Sequence, residues 1–178
     1  DALRVGTFAG LNVTVPHKSR VLELVDEIDP SARATGAANT LVRLPDGRVR
    51  AHNTDAPALE DELVRLSGDP ASFRGRTAVV LGSGGAARAA IFALARLGVA
   101  RVVVRARREK KELGDVVQAS GASTTLSFAP LVAPRGEPGD LSAIVQATTA
   151  CMHGSDVPGE VVADAVDWAT VPPACVRS

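Results

Sequence analysis

The second half of the chain alternates short apolar runs with longer stretches of helical periodicity. Residues 77–81 form a continuous apolar run that ends at glycines, and residues 86–97 then form an alanine-rich helical pattern that ends at Gly98. Residues 129–140, with three prolines and two glycines, are predicted as a surface loop. Further strands are predicted at residues 101–104, 123–128 and 141–147, and a further helix at residues 108–120. This alternation predicts an α/β fold with a doubly wound parallel sheet.

The first part of the chain has shorter elements separated by proline and glycine. An apolar strand at residues 11–15 stops at Pro16, and the apolar spacing within residues 17–27 predicts an amphipathic helix. Pro16 suits the first turn of that helix because its missing N–H group is not needed there. Asp29-Pro30 is expected to end the helix.

A hairpin and a second helix are predicted next. Strands at residues 38–43 and 49–52 flank Pro45-Asp46-Gly47, in which the Asp-Gly pair supplies the backbone freedom of a tight turn. Thr54 or Asp55 is then expected to cap a helix. The apolar face of this helix is formed by Leu59, Leu63 and Leu66. Residues 67–70 end the helix, and we place the domain boundary there, which gives domains of residues 1–70 and 71–178.

Composition narrows the function classes. Hydrophobic residues make up 46% and aromatic residues 3% of the chain, which suits buried parallel strands built from small aliphatic side chains. The net charge is zero, so neither nucleic acid nor an anionic membrane is an expected partner. The two cysteines and three histidines lack metal-ligand spacing. We therefore expect no metal, reduced thiols and a cytoplasmic location.

A glycine turn joins the first strand of the second domain to its helix. Gly82-Ser83-Gly84-Gly85 is followed by Ala86 and Ala87, so Ala87 takes the third position of the G-x-G-x-x-G/A pattern. Backbone N–H groups at such a helix start favour a pyrophosphate, and glycine lets the phosphate approach the backbone. An ordinary turn is the alternative, but the position between an apolar strand and a helix favours dinucleotide binding.

Arginines follow the second strand of this domain. A NAD-binding protein usually has an acidic residue about 20 residues beyond the glycine turn, where it binds the ribose hydroxyls. This chain has Arg105, Arg107 and Arg108 instead, and guanidinium groups bind a 2′-phosphate. NADP is therefore preferred over NAD, with a solvated cationic helix start as the alternative.

Four polar residues of the first domain are candidates for chemistry on a small polar substrate. Lys18 and Asp55 form an acid–base pair, in which the carboxylate would hold the ammonium group in place. Asn39 and Asn53 are strand-edge amides that can donate to and accept from a polyol. Each residue also has an ordinary alternative, as a surface lysine, a helix cap or a turn residue. Together with the glycine turn, the set favours an enzyme that moves a hydride between a small polar substrate and a dinucleotide.

The motifs together resemble those of shikimate dehydrogenases, over roughly residues 5–105. They are Asn12-Val13-Thr14-Val15-Pro16-His17-Lys18, Gly36-Ala37-Ala38-Asn39-Thr40, Asn53-Thr54-Asp55 and Gly82-Ser83-Gly84-Gly85-Ala86-Ala87-Arg88. The resemblance implies an incomplete N-terminal α/β substrate domain followed by a Rossmann-like, doubly wound parallel-sheet NADP-binding domain. It also implies reversible NADPH-dependent reduction of 3-dehydroshikimate to shikimate, a step of aromatic amino acid and chorismate biosynthesis.

The resemblance assigns roles to individual residues. Lys18 is expected to be the catalytic acid–base, and Asp55 its partner and a substrate ligand. Asn39 is expected to bind a substrate hydroxyl, with Asn12 and Thr14 lining the same site. The resemblance places Arg105 in the 2′-phosphate position. The cofactor turn consists of Gly82, Ser83, Gly84, Gly85 and Ala86.

Some features depart from the family. The usual Asn-Arg-Thr turn is replaced by Val104-Arg105-Ala106, and the Asn-Ala-Thr-Pro motif by Gln146-Ala147-Thr148-Thr149. Thr148 and Met152 are still expected near the nicotinamide. The family's N-terminal Ser-x-Ser segment and its C-terminal Tyr and Gln are not in this sequence, so we expect it to be part of a longer protein.

Two alternatives to shikimate dehydrogenase stay open. One is a relative that prefers quinate or an amino-substituted shikimate, because the discriminating residues fall largely in the segments not in this sequence. The other is a non-catalytic NADP-binding fragment. The expected partners are small molecules only, and the sequence does not distinguish a monomer from a homodimer.

Overall fold

The computed structural model describes residues 2–132, 136–150 and 158–177. The strands are β1 (Gly10–Asn12), β2 (Glu27–Ile28), β3 (Thr40–Arg43), β4 (Val49–His52), β5 (Thr77–Leu81), β6 (Arg101–Arg105), β7 (Thr125–Ala129), β8 (Leu141–Gln146) and β9 (Val176–Arg177). The helices are α1 (Pro30–Thr35), α2 (Asp55–Ser67), α3 (Gly85–Arg96), α4 (Leu113–Ser120) and α5 (Gly159–Ala163). Short 3-10 turns lie at Arg20–Glu23 and Pro70–Phe73.

The second sheet confirms the predicted α/β fold. Its five strands run in the order β7-β6-β5-β8-β9, and each neighbouring pair is parallel. All five residues of β5 are buried, since strands in such a sheet are covered by helices on both faces. The chain passes from β5 to β6 on one side and returns to β8 on the other. Ligands bind at such a switch point, at the carboxyl ends of the strands.

The helix α4 is shorter than the sequence predicts, and β9 was not predicted. Residues 108–112 lie outside the helix, which begins only at Leu113. The strand β9 has just two residues and pairs with β8. Neither a two-residue strand nor a helix start without a side-chain cap leaves a periodic signal.

The first sheet is mixed, with the order β1-β3-β4-β2. The hairpin of β3 and β4 is confirmed, but the predicted helix over residues 17–27 is wrong. Only Arg20–Glu23 form a 3-10 turn, and Glu27–Ile28 form a strand parallel to β4. Asp26 explains the change, because its N–H group donates to Val49 O at 3.0 Å and its carboxylate accepts from Val49 N at 2.8 Å. These bonds extend the chain along β4.

The helix α1 starts where the sequence predicted a break. Asp29 is its N-cap, and the Asp29 carboxylate accepts hydrogen bonds from the Ser31 N–H group at 3.0 Å and from the Ser31 hydroxyl at 2.7 Å. Pro30 occupies the first helical position, where proline is favoured. The Asp-Pro signal therefore marks the beginning of a helix.

The helix α2 connects the two sheets. Leu63 is fully buried in the same hydrophobic cluster as Phe73, Val80 and Leu94 of the second half. Leu66 is 45% exposed, so the buried apolar face of the helix is narrower than predicted. By packing, α2 joins the second sheet, although the predicted boundary near residue 70 assigns it to the first domain.

Cys175 is buried, as predicted for it, and its thiol is free in the described part of the chain. Burial raises the pKa of its thiol to about 11. Cys151 lies outside the described residues. Among the described residues, no helix combines the length and apolar character needed to cross a membrane.

Candidate active site

Lys18 and Asp55 meet at the centre of the candidate site. Lys18 Nζ lies 2.7 Å from Asp55 Oδ2, and their side chains are 15% and 32% exposed. Lys18 lies in the loop between β1 and the 3-10 turn, and its carbonyl oxygen accepts a hydrogen bond from Ala38 N at 2.7 Å. Asp55 is the first residue of α2, directly beyond β4. Residues 37 positions apart in sequence thus form a charge-assisted hydrogen bond.

Asn39 orients the other side of Asp55. Its Nδ2 group donates to Asp55 Oδ1 at 2.7 Å and to Thr54 Oγ1 at 2.9 Å, while its Oδ1 accepts from Thr54 N at 2.9 Å. The two carboxylate oxygens therefore have different partners, Lys18 on one and Asn39 on the other. This arrangement fixes the orientation of the carboxylate.

Asn53 does not face the site, contrary to its predicted role as a substrate ligand. It is only 2% exposed, and its Nδ2 group donates to Ala37 O at 3.0 Å. Its Oδ1 accepts from Ala56 N at 3.1 Å, so Asn53, rather than Thr54 or Asp55, supplies the side-chain cap of α2. The amide stabilises the fold because it satisfies buried backbone groups.

Asn12 and Thr14 lie beside Asn39. The Val13 N–H group, which lies between them in sequence, donates to Asn39 O at 2.8 Å. Both Asn12 and Thr14 are exposed. The structure thus places two exposed polar residues on the segment that pairs with Asn39, the residue that contacts Asp55.

The glycine turn lies at the carboxyl end of β5. Gly82 has φ of 111°, and a Cβ atom there would lie 2.8 Å from Ala147 O. Glycine is required at this position by the neighbouring strand end as well as by the backbone conformation. At Gly84, by contrast, an added Cβ atom would meet nothing within 4 Å, which leaves room for a ligand against the backbone.

A pocket of about 610 Å³ opens next to this turn. A dinucleotide needs a cradle of backbone N–H groups and cations for its phosphates, and this pocket offers both. Its lining includes Gly82, Ser83, Gly84, Ala106, Arg107, Arg108, Lys110 and Thr148. Gly85 and Ala86, also predicted to bind the cofactor, lie in the first turn of α3 beside the pocket.

Arg105 does not reach this pocket, which corrects its predicted role. Its side chain is 4% exposed and forms a two-pronged ion pair with Glu137, at 2.8 and 2.6 Å. Its Nη1 group also donates to Ala165 O at 2.7 Å. A guanidinium with these partners is not available to a phosphate.

Two residues that matter in this region were not predicted from the sequence. Lys110 lines the pocket, and its position two residues beyond Arg108 is the signal that could have indicated it. Glu137 lies in the predicted surface loop, where nothing local indicates a buried carboxylate. Met152 lies outside the described residues. Within the described ranges, no group of acidic, histidine or cysteine side chains is placed to hold a metal ion.

Comparison with known proteins gives consistent matches. Residues 1–41 match the family model described as the shikimate dehydrogenase substrate binding domain. A shikimate dehydrogenase (NADP(+)) from Methylobacterium radiotolerans is 43% identical over 148 residues, which are 83% of this chain and 51% of that protein.

Two solved structures illustrate the likeness of fold. Shikimate 5-dehydrogenase from Thermus thermophilus, in complex with NADP(H) and shikimate, is 32% identical with a TM-score of 0.62, over 89% of this chain and 56% of that one. Quinate dehydrogenase from Corynebacterium glutamicum, in complex with NAD, is 27% identical with a TM-score of 0.74, over 98% and 60%.

The parallel sheet and the pocket at its glycine turn define an α/β protein of the Rossmann-like class. The lysine–aspartate pair beside that turn narrows the class further. The chain belongs to the shikimate dehydrogenase family. It spans about half the length of the curated relatives it matches.

Proposed function

We propose that the protein containing this chain is a shikimate dehydrogenase, which reversibly reduces 3-dehydroshikimate to shikimate with NADPH. The observation that carries the proposal is the Lys18–Asp55 ion pair of 2.7 Å, adjacent to the first turn of α3. The names of the relatives, shikimate dehydrogenase (NADP(+)), support this substrate and this cofactor.

In this proposal, Lys18 transfers the proton of the reacting hydroxyl. When bound, the nicotinamide cofactor supplies the hydride for reduction and accepts it in the reverse direction. Lys18 Nζ donates a proton to the carbonyl oxygen during reduction and takes it back during oxidation. Asp55 holds Nζ in position, and Asn39 fixes the carboxylate.

The remaining predicted ligands keep their roles as proposals. Asn12, Thr14, Asn39 and Asp55 would bind substrate hydroxyls from the first sheet. Backbone N–H groups of the turn would hold the pyrophosphate. The cofactor side of the site consists of Gly82, Ser83, Gly84, Gly85, Ala86, Arg107, Arg108, Thr148 and Met152.

The pocket favours NADP over NAD. Arg107, Arg108 and Lys110 all line it, just beyond β6, where the ribose end of a dinucleotide lies in a Rossmann-like fold. Among the described residues that line it, none carries a carboxylate that would repel a 2′-phosphate. We therefore propose these three side chains as the 2′-phosphate site, in place of Arg105.

Quinate dehydrogenase is the second candidate. The solved quinate dehydrogenase, described in complex with NAD, has nearly the same fold as this chain. The cationic pocket lining favours the NADP-dependent relative. A cytoplasmic location stays a prediction, as does an assembly that is either a monomer or a homodimer.

The proposal is tested by NADP⁺ reduction with shikimate, with quinate and NAD⁺ as alternative substrates. We expect turnover with shikimate and NADP⁺, and a loss of about 10²- to 10⁴-fold in kcat for Lys18→Ala, the usual contribution of a general acid–base. Lys111→Ala is the matched control, because Lys111 is exposed and not in the pocket lining.

Each other outcome would contradict part of the proposal. A preference for quinate would indicate the second candidate. Turnover that survives Lys18→Ala would remove the proposed role of Lys18. NADP⁺ binding without turnover on any substrate would indicate a non-catalytic dinucleotide-binding protein.

A further inference from the structure

Gly85 occupies a position that the dinucleotide pattern does not explain. The G-x-G-x-x-G/A pattern assigns its three small residues to Gly82, Gly84 and Ala87, and leaves position 85 free. Gly85 is the first residue of α3, and its φ is not in the left-handed region that favours glycine. Alanine is a better helix former than glycine, so the backbone gives no reason for glycine here.

The neighbouring side chain gives the reason. A Cβ atom on Gly85 would lie 3.0 Å from Lys18 Cβ and 3.2 Å from Lys18 Cδ, closer than ordinary van der Waals contact. The aliphatic stem of Lys18 therefore lies across the bare backbone of Gly85. Since the contact involves Cβ as well as Cδ, Lys18 cannot avoid it by rotating only its far end.

We infer that Gly85 is a positioning residue for Lys18, whose stem rests on the first turn of α3. The inference rests on the proposed function, in which Lys18 transfers the proton. Lys18 then has three attachments: Asp55 at Nζ, Ala38 at its carbonyl oxygen and Gly85 along its stem.

This contact joins the two halves of the site. The turn that supports Lys18 directly follows Gly84, which lines the proposed cofactor pocket. The proton-transferring group is thus held in register with the element that receives the cofactor. Alignment of bound reactants accounts for much of the acceleration in a two-substrate reaction, so a displaced Lys18 should lower kcat.

The first test observes Lys18 directly, without any turnover. Lys18, Lys110 and Lys111 are the chain's only lysines, so labelling with lysine that carries ¹³C at Cε gives three resonances. The Lys18 resonance is assigned with Lys18→Arg. We expect Gly85→Ala to shift it in the free protein. Gly114→Ala is the matched control, because Gly114 lies in the first turn of α4 with nothing within 4 Å of an added Cβ.

A second comparison separates the support of Lys18 from the binding of the cofactor. Gly85→Ala should lower kcat by about ten- to a hundredfold. It keeps the backbone N–H group that the proposed pyrophosphate cradle uses, so the Kd for NADP⁺ should stay within about twofold of wild type. Gly84→Ala should have the opposite effect on binding. The added Cβ would enter the pocket and raise the Kd for NADP⁺, while the Lys18 resonance should stay in place.

The outcomes separate this inference from the proposed function. A Lys18 resonance in Gly85→Ala that coincides with wild type would overturn the positioning role, whatever the activity. A folded Gly85→Ala variant that binds NADP⁺ poorly but keeps kcat would also overturn it. If the wild-type protein showed no turnover, the proposed function would fail, but the resonance would still report whether Gly85 supports Lys18.

Discussion

Arg105 and Arg108 are three residues apart and have opposite surroundings. Both belong to the same basic stretch of sequence, and both were predicted to bind the 2′-phosphate of NADP. Arg105 is buried against Glu137, whereas Arg108 is exposed and lines the pocket. The charge of an arginine is visible in the sequence, but its direction depends on a carboxylate 32 residues away.

We predict different consequences for the two arginines. Arg105→Ala leaves the Glu137 carboxylate buried without its partner, so the free energy of unfolding should fall by about 3–5 kcal/mol. Arg108→Ala should leave stability unchanged and raise the Kd for NADP⁺, but not for NAD⁺, by about tenfold. Urea unfolding and calorimetric titration with each dinucleotide measure these effects. An Arg105→Ala variant of normal stability with weak NADP⁺ binding would restore the original assignment.

The asparagines show the same limit of sequence interpretation. Asn39 and Asn53 both follow or precede a strand, and both were predicted to bind substrate. The Asn39 side chain donates to Asp55, whereas the Asn53 side chain donates to Ala37 O and accepts from Ala56 N. Residue type indicated that both amides can donate and accept hydrogen bonds, but the partner of each was set by tertiary structure.

At the scale of elements, the sequence predicted best where the signal was local and strong. The strand β5 and the helix α3 are confirmed, because a fully apolar run, a glycine turn and an alanine-rich helix each act over neighbouring residues. The predicted helix over residues 17–27 failed because the backbone pairing of Asp26 with Val49 is long-range. Periodicity alone cannot represent such a pairing.

The helix α1 gives a prediction for pH dependence. The Ser31 hydroxyl and the Ser31 N–H group hold the pKa of Asp29 below its ordinary value. A carboxylate with a lowered folded-state pKa stabilises the fold above its unfolded-state pKa of about 3.9. That contribution is lost as the pH falls through the folded-state pKa.

Substitution at Asp29 should separate the cap from the charge. Asp29→Ala should lower the free energy of unfolding by about 1 kcal/mol near neutral pH, through loss of the N-cap. Asp29→Asn should keep most of the cap but remove the contribution of Asp29 to the pH dependence of stability, so that its stability converges with that of wild type in acid. Urea unfolding at about pH 6 and about pH 3 checks this. A constant difference between wild type and Asp29→Asn across this range would contradict it.

At the scale of the whole molecule, α2 is shared between the two sheets. Its first residue, Asp55, belongs to the site on the first sheet, and Leu63, further along, is buried in the core of the second. The side chains of Glu60 and Arg96 also form an ion pair of 2.9 Å between α2 and α3. The mixed and the parallel sheet follow each other in the order that the change of pattern along the chain indicates, but the helix shared between them was not predicted.

The burial of one face of α2 predicts how substitutions on this helix change the free energy of unfolding. Leu63→Ala should lower the free energy of unfolding by about 2–5 kcal/mol, because it opens a cavity in that core. Leu66→Ala is the matched control on the same helix, with an expected effect below about 0.5 kcal/mol, since Leu66 is 45% exposed. Equal effects of the two substitutions in urea unfolding would show that α2 does not pack as described.

The position of α2 has a consequence for how the two halves communicate. The backbone of Lys18 is bonded to Ala38 of the first half, whereas Asp55 begins a helix that is anchored in the second. A relative rotation of the halves would therefore change the 2.7 Å distance between Lys18 Nζ and Asp55 Oδ2. Affinity for a ligand that spans both halves and integrity of this bond are then thermodynamically linked, and by reciprocity each changes the other by the same factor.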